Sequence, residues 1–141
     1  NLALLVMTVV MGWWVGFKAL LMVHGPIFFL AAAAGVWLFY VQHQFEEGYF
    51  EREDAWDYER AALQGSSYYQ LPRLLQWFSG NIGFHHVHHL DARIPNYYLE
   101  EAHRNHERLR QVKAITLRTS LKSLRYKLWD EERKAFVGFK D

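Results

Sequence analysis

Leu2-Ala3-Leu4-Leu5-Val6-Met7-Thr8-Val9-Val10-Met11-Gly12-Trp13-Trp14-Val15-Gly16-Phe17 opens a stretch with almost no charge. Apolar character resumes after Lys18 and continues to Val23. His24-Gly25-Pro26 interrupts it, and Ile27 to Val41 forms a second apolar run with Trp37, Phe39 and Tyr40 at its far end. Up to Tyr40 the only Lys, Arg, Asp or Glu is Lys18. A helix needs about 20 apolar residues, with a range of about 17–25, to cross the hydrocarbon core of a bilayer. The first run meets that length and the second lies at its short edge. Glycine ends helices well and proline starts them well. The sequence therefore predicts two helices joined at Gly25-Pro26 in a re-entering membrane hairpin. Lys18 can snorkel toward the turn, and the terminal aromatics suit the interface. The alternative is the buried core hairpin of a soluble protein, but a near-chargeless run of this length is excessive for so small a chain.

The rest of the chain is unlike this part. All 15 acidic residues and 15 of the 16 basic residues follow Tyr40. A hairpin returns both of its ends to one side of the membrane, so the charged part lies on that side. The Lys and Arg residues gathered there favour the cytoplasmic face. The expected fold is all-α: a transmembrane helical hairpin (1–42) followed by a cytosolic helical region (43–141). The chain begins at Asn1 with neither Met nor a basic segment ahead of the apolar run, which is not a signal peptide. We expect upstream sequence to precede it. The absence of cysteine excludes disulfides, thiolate metal sites and cysteine nucleophiles. A formal net charge of +1 argues against a nucleic-acid binder.

Chemistry concentrates at His85-His86-Val87-His88-His89, where four of the eight histidines fall within five positions. Neutral imidazole is the commonest protein metal ligand. On a helix each residue turns roughly 100°, so His85, His88 and His89 share one face and His86 sits at its edge, nearly opposite His88. Three imidazoles aimed at one point can bind a transition metal; the bland alternative is a polar histidine-rich loop. His43, in Gln42-His43-Gln44-Phe45-Glu46-Glu47, comes where the second helix leaves the bilayer, and reads equally as an interfacial histidine or a ligand. Glu46, Glu47, Asn81 and Asp91 are candidates to orient the ligand rings.

Between these points, Glu51 to Leu63 reads as a surface helix and Gly65-Ser66-Ser67 as a loop. Tyr68 to Phe78 reads as an amphipathic helix on the membrane surface or in a core. Arg93-Ile94-Pro95 stops the histidine helix. Tyr98 to Arg110 carries His103 and His106 on a charged face. After Val112, Leu117, Leu121, Leu124 and Leu128 recur at helical spacing with Arg118, Lys122, Arg125 and Lys127 between them, an amphipathic basic helix. The plainer reading is a packing face with a solvated rim. The sharper ones are membrane-surface contact or docking of an acidic electron donor.

Gly83-Phe84-His85-His86-Val87-His88-His89-Leu90, followed by Arg93-Ile94-Pro95-Asn96-Tyr97, resembles the third histidine box of the membrane fatty acid desaturases, in the form of the acyl-lipid omega-6 and omega-3 type. Tyr40 to Glu46, Gly65 to Tyr69, and Leu117 to Leu124 running into Trp129-Asp130-Glu131-Glu132 support the resemblance, which covers nearly the whole chain. It implies a di-iron centre held almost wholly by histidines on the cytosolic side of a multi-pass integral membrane protein. It also implies O2-dependent desaturation of an acyl-lipid substrate, with electrons from ferredoxin or cytochrome b5. Carried over by position, His85, His88 and His89 match the third box and His43 matches the extra histidine after the last membrane helix. His86 is the variable residue of the box and takes no assignment. There are two departures. The family's two earlier boxes are absent, and Phe39 stands where some relatives have Asn. Four imidazoles are too few for two irons, so this chain alone is expected to be inactive. Competing readings are a histidine-box hydroxylase or carotenoid oxygenase, which shares the metal chemistry, and a non-enzymatic membrane metal-binding module. Trp77, Phe78 and Tyr69 are candidates to line an acyl tunnel.

Overall fold

The computed structural model describes residues 1–139. The chain forms two compact units, Asn1–Trp37 and Leu38 onward.

In the first unit, helix α1 (Leu2–Val15) ends at Gly16 and helix α2 begins at Phe17 and runs to His43. The expected turn at Gly25-Pro26 is not there: Pro26 lies inside α2. The break falls instead at Gly16, whose φ of 92° is a left-handed conformation that suits glycine. Gly12 completes the corner, since a Cβ there would lie 2.3 Å from the Phe17 ring. Leu4 and Met7 of α1 and Phe17, Leu21 and Phe28 of α2 line one apolar cleft, so the two helices flank the corner. Pro26 costs α2 one backbone hydrogen bond, a loss that apolar helices tolerate when the freed carbonyl finds another donor. At 27 residues, α2 spans about 40 Å and is long and apolar enough to cross a membrane. α1 is shorter than that length requires.

The second unit begins with the last turns of α2. It continues through α3 (Tyr58–Gln64), β1 (Tyr68–Gln70), α4 (Arg73–Phe78), α5 (His85–Leu90), α6 (Leu99–Asn105), α7 (Glu107–Arg110), β2 (Ala114–Thr116), α8 (Leu117–Ser120), β3 (Leu128–Asp130) and β4 (Ala135–Val137). The chain is mostly helical, as expected, but short strands mean that it is not all-α. β1 pairs in parallel with β2, placing Tyr69 beside Ile115, and β3 pairs with β4 as an antiparallel hairpin. Three-residue strands are too short for alternation to announce them.

Other elements are shorter than their periodicity suggested. The surface helix expected over 51–63 is realised only from Tyr58, where Asp57 caps it through Arg60 N at 2.8 Å. The helix expected from Tyr68 starts at Arg73, because Pro72 has no N–H and takes the N-cap position. His106, in extended backbone, separates α6 from α7. The basic segment after Val112 is not one helix. It is β2, α8, a 3-10 turn over Leu121–Leu124 and then β3.

The core gathers Phe84, Val87, Leu99 and Leu109, with Leu63, Tyr68, Leu90, Ile94 and Ala102 around them. A six-residue helix is not stable alone in water. α5 is held because Val87 is fully buried in that core, a burial worth about 1.5–3 kcal/mol. At roughly 100° per residue, burying Val87 and Leu90 turns His85, His88 and His89 to the opposite side.

Candidate metal centre

Two elements bring the imidazoles together: the end of α2 and the outward face of α5. The end of α2 is fixed by the Gly65–Ser67 loop. Ser67 N donates to Gln42 O at 3.0 Å, and the next residue, Tyr68, enters β1 with its N–H on Lys113 O at 2.8 Å. Ser66 is buried beneath the loop with its hydroxyl on Ala62 O. Gly65 O then lies 3.1 Å from His43 Nδ1. A carbonyl can only accept, so His43 carries its proton on Nδ1 and presents the lone pair of Nε2. A backbone acceptor behind the ring is the usual way a ligand imidazole is oriented.

His43 Nε2 is 3.1 Å from His85 Nε2, and His89 Nε2 is 3.0 Å from the same atom. The ligand atoms of His43, His85 and His89 all lie within 4.8 Å of one another. His85 is the hub, with ring centroids 5.0 Å from His43 and 4.4 Å from His89. Two nitrogens each about 2.1 Å from one ion and at right angles are about 3.0 Å apart, so this donor set fits a first-row transition metal. His88 does not join the trio. It is exposed, and its ring stacks beside His85 at 6.0 Å and 19°.

Protonation of His85 and His89 is disfavoured. Burial, followed by the neighbouring rings of His89, His43, His88 and His86, pushes His85 down to about 3. Burial and then His43 and His88 lower His89 too. On the other face of α5, burial and then His103 push His86 down to about 3. His86 is fully buried, with Nε2 3.0 Å from His103 Nδ1 and both rings against Tyr68. His85 and His86 thus stay neutral in the folded chain down to low pH, whereas in the unfolded chain they titrate near 6.5. Between those values the unfolded form binds more protons. Metal-free protein is therefore expected to lose stability as pH falls from 6.5 toward 3 and to gain none above 6.5 from these two groups. Thermal unfolding at pH 7.5 and 5 checks this; an unchanged or higher Tm at pH 5 contradicts it.

The four carboxylate and amide candidates for orienting the rings are engaged elsewhere. Glu46 accepts from Tyr126 Oη, Glu47 pairs with Lys113, Asn81 donates to Asn96 O, and Asp91 pairs with Arg93. The Arg93 guanidinium holds the Asp91 carboxyl down to about 2. Sequence reasoning missed two supports. One is the Gly65 carbonyl, for which the loop signal was visible but not its target. The other is Tyr58, whose hydroxyl lies 3.0 Å from His89 O and 2.8 Å from Leu90 O, at the carbonyl end of α5. Tyr58 is about half exposed, so water can replace part of this. Tyr58→Phe is expected to weaken metal binding by at most roughly fivefold, about 1 kcal/mol, as read by competitive metal titration. Wild-type affinity would remove Tyr58 from this role. Of the aromatics considered for a tunnel, Tyr69 is fully buried with its hydroxyl 3.0 Å from Ser120 Oγ, while Trp77 and Phe78 are exposed. His106 is exposed, and His24 lies within α2 with Nδ1 3.2 Å from Leu20 O.

The family model described as fatty acid desaturase matches residues 1–119. A curated protein of Bacillus subtilis (strain 168) named "Fatty acid desaturase" is 58% identical over 125 residues, which cover 89% of this chain and 36% of that protein. The chain thus spans about a third of the length of that relative. No solved structure matches it significantly.

Proposed function

This chain belongs to the fatty acid desaturase family, and on that premise we propose that it supplies part of the metal centre of an O2-dependent acyl-lipid desaturase. The observation that carries the reading is the convergence of His43, His85 and His89 from two elements distant in sequence. Nothing in apolar packing requires three imidazole nitrogens to face one another.

Iron is the metal proposed, as a di-iron pair. His43, His85 and His89 would hold it, and His88, on the same face of α5, would be a further candidate ligand. The other ligands come from portions of the full-length protein outside this chain. Bound iron supplies the oxidising power to break a methylene C–H bond, which no side chain provides. The protein's part is positional. Gly65 O fixes the tautomer of His43, the buried Val87 face sets the rotation of α5, and the low proton affinity of His85 leaves its lone pair free for a ligand role at neutral pH.

In this reading residues 1–42 form the membrane-embedded part, and residues 43–141 lie on the cytosolic side of a multi-pass protein. The acyl chain enters from the bilayer, and a ferredoxin or cytochrome b5 type donor delivers electrons. Expressing the full-length protein with an electron donor and analysing cellular lipids by mass spectrometry tests the activity. New double bonds support it; hydroxylated acyl chains with no alkene overturn it.

A further inference from the structure

The segment Leu117–Leu128, which the metal centre does not use, has an unusual face. Leu117, Leu121 and Leu124 recur at helical spacing but point outward, 44%, 59% and 52% exposed, and Leu128 is 49% exposed. The side chains turned inward are polar: Ser120 and Ser123 are buried, and Tyr69 Oη meets Ser120 Oγ. An apolar face turned away from the protein's own core is where a partner or a membrane lies.

Charge selects between these. The twelve residues contain Arg118, Lys122, Arg125 and Lys127 and no acid. Elsewhere in this unit seven Arg and Lys side chains pair with carboxylates. Among the described residues no carboxylate pairs with these four. All four are exposed, and Lys127 lies 5.7 Å above the Tyr40 ring.

Position gives the third argument. Tyr40, three residues from the end of α2, donates its hydroxyl to Ser123 O and Tyr126 O, each at 3.0 Å, and Gln44 Nε2 donates to Tyr126 O at 3.0 Å. The leucines are therefore fastened to the end of the helix that is long and apolar enough to cross a membrane. β1 and β2 are parallel and end together at Gln70 and Thr116, so α4 and α8 leave the same end of the ladder. α4 is also inverted. Leu74, Trp77 and Phe78 are exposed, while Gln76 is buried on Tyr69 O and Gly83 N.

We propose that Leu117–Leu128, continued by α4, is an interfacial foot that rests on the bilayer and prefers anionic phospholipid. The leucines enter the acyl boundary, and the four cations meet lipid phosphates at a depth set by Tyr40. Each cation near an anionic surface strengthens association by about fivefold. The inference rests on the reading that α2 spans a bilayer.

The test uses full-length protein labelled at Leu121→Cys with an environment-sensitive dye; this chain has no other cysteine, and any outside it are replaced. The protein is placed in nanodiscs of phosphatidylcholine or of phosphatidylcholine with phosphatidylglycerol, each with and without bromine-labelled acyl chains. We expect a blue-shifted label quenched by bromolipid, at least about twofold more strongly in the anionic discs. With the four cations changed to Gln (Arg118, Lys122, Arg125 and Lys127), we expect the lipid dependence to vanish while iron content stays unchanged. A water-exposed label in both discs overturns the inference, as does a label shielded from water but not reached by bromolipid, which would mean protein covers the leucines. Equal quenching in the two compositions overturns the anionic preference. A protein that does not enter the discs overturns the membrane reading with it.

Discussion

Under the proposed function, His85→Ala in the full-length protein is expected to abolish desaturation, by on the order of a thousandfold or more, and to take bound iron with it. The size follows from the place of His85 in the trio. Its Nε2 is the atom that both His43 and His89 approach, at 3.1 and 3.0 Å. Removing it leaves two imidazoles with no common partner, whereas loss of a mere orienting partner costs about 10–100-fold. His88→Ala is expected to abolish product as well but to retain a share of the iron, because His88 stands outside the trio at 6.0 Å from the His85 ring. Metal analysis beside lipid analysis reads both. Full iron content in His85→Ala, or normal unsaturated lipid from either variant, would sink the assignment of that histidine.

Gly83→Ala is expected to have the largest effect of any single methyl group in the second unit. A Cβ at Gly83 would lie 2.3 Å from Tyr69 O and 2.3 Å from Gln76 Nε2. The first contact is backbone in a strand already paired with β2, so it cannot swing aside. The second is a buried side chain that bonds both Tyr69 O and Gly83 N. Overpacking together with one broken buried hydrogen bond amounts to about 2–4 kcal/mol. Because Gly83 is two residues before His85, the displacement passes directly into α5. We expect a fall in Tm together with reduced iron content. A variant with wild-type Tm and iron would show that the two elements separate freely.

What the sequence carried was local. The rotation of α5 could be read from His85, Val87, His88 and His89, because one buried valine and a 100° step determine it. The apolar character of residues 2–41 was equally plain, though not its division into helices. The corner was misplaced because Gly25-Pro26 is the stronger punctuation on paper. Gly16 wins because Gly12, one turn earlier, leaves room for Phe17. The strands were invisible, since Tyr68–Gln70 acquires its extended form from Ala114–Thr116, far away in the chain. The support for His43 was hidden for a related reason. A backbone carbonyl carries no residue-type signature, so Gly65 could be read as a loop but not as a hydrogen-bond acceptor. The leucines after Leu117 show the limit of periodicity, which finds a face without saying whether protein or lipid covers it.

The parallel ladder has a consequence for biosynthesis. The loop that steadies His43 runs straight into β1, whose sheet partner is β2. During translation the first imidazole leaves the ribosome long before the strand that secures its neighbour, so the pocket closes late. A nascent chain arrested before Ile115 would expose unshielded histidines to whatever cations the compartment offers, and maturation of the centre waits on a strand that emerges well after His43.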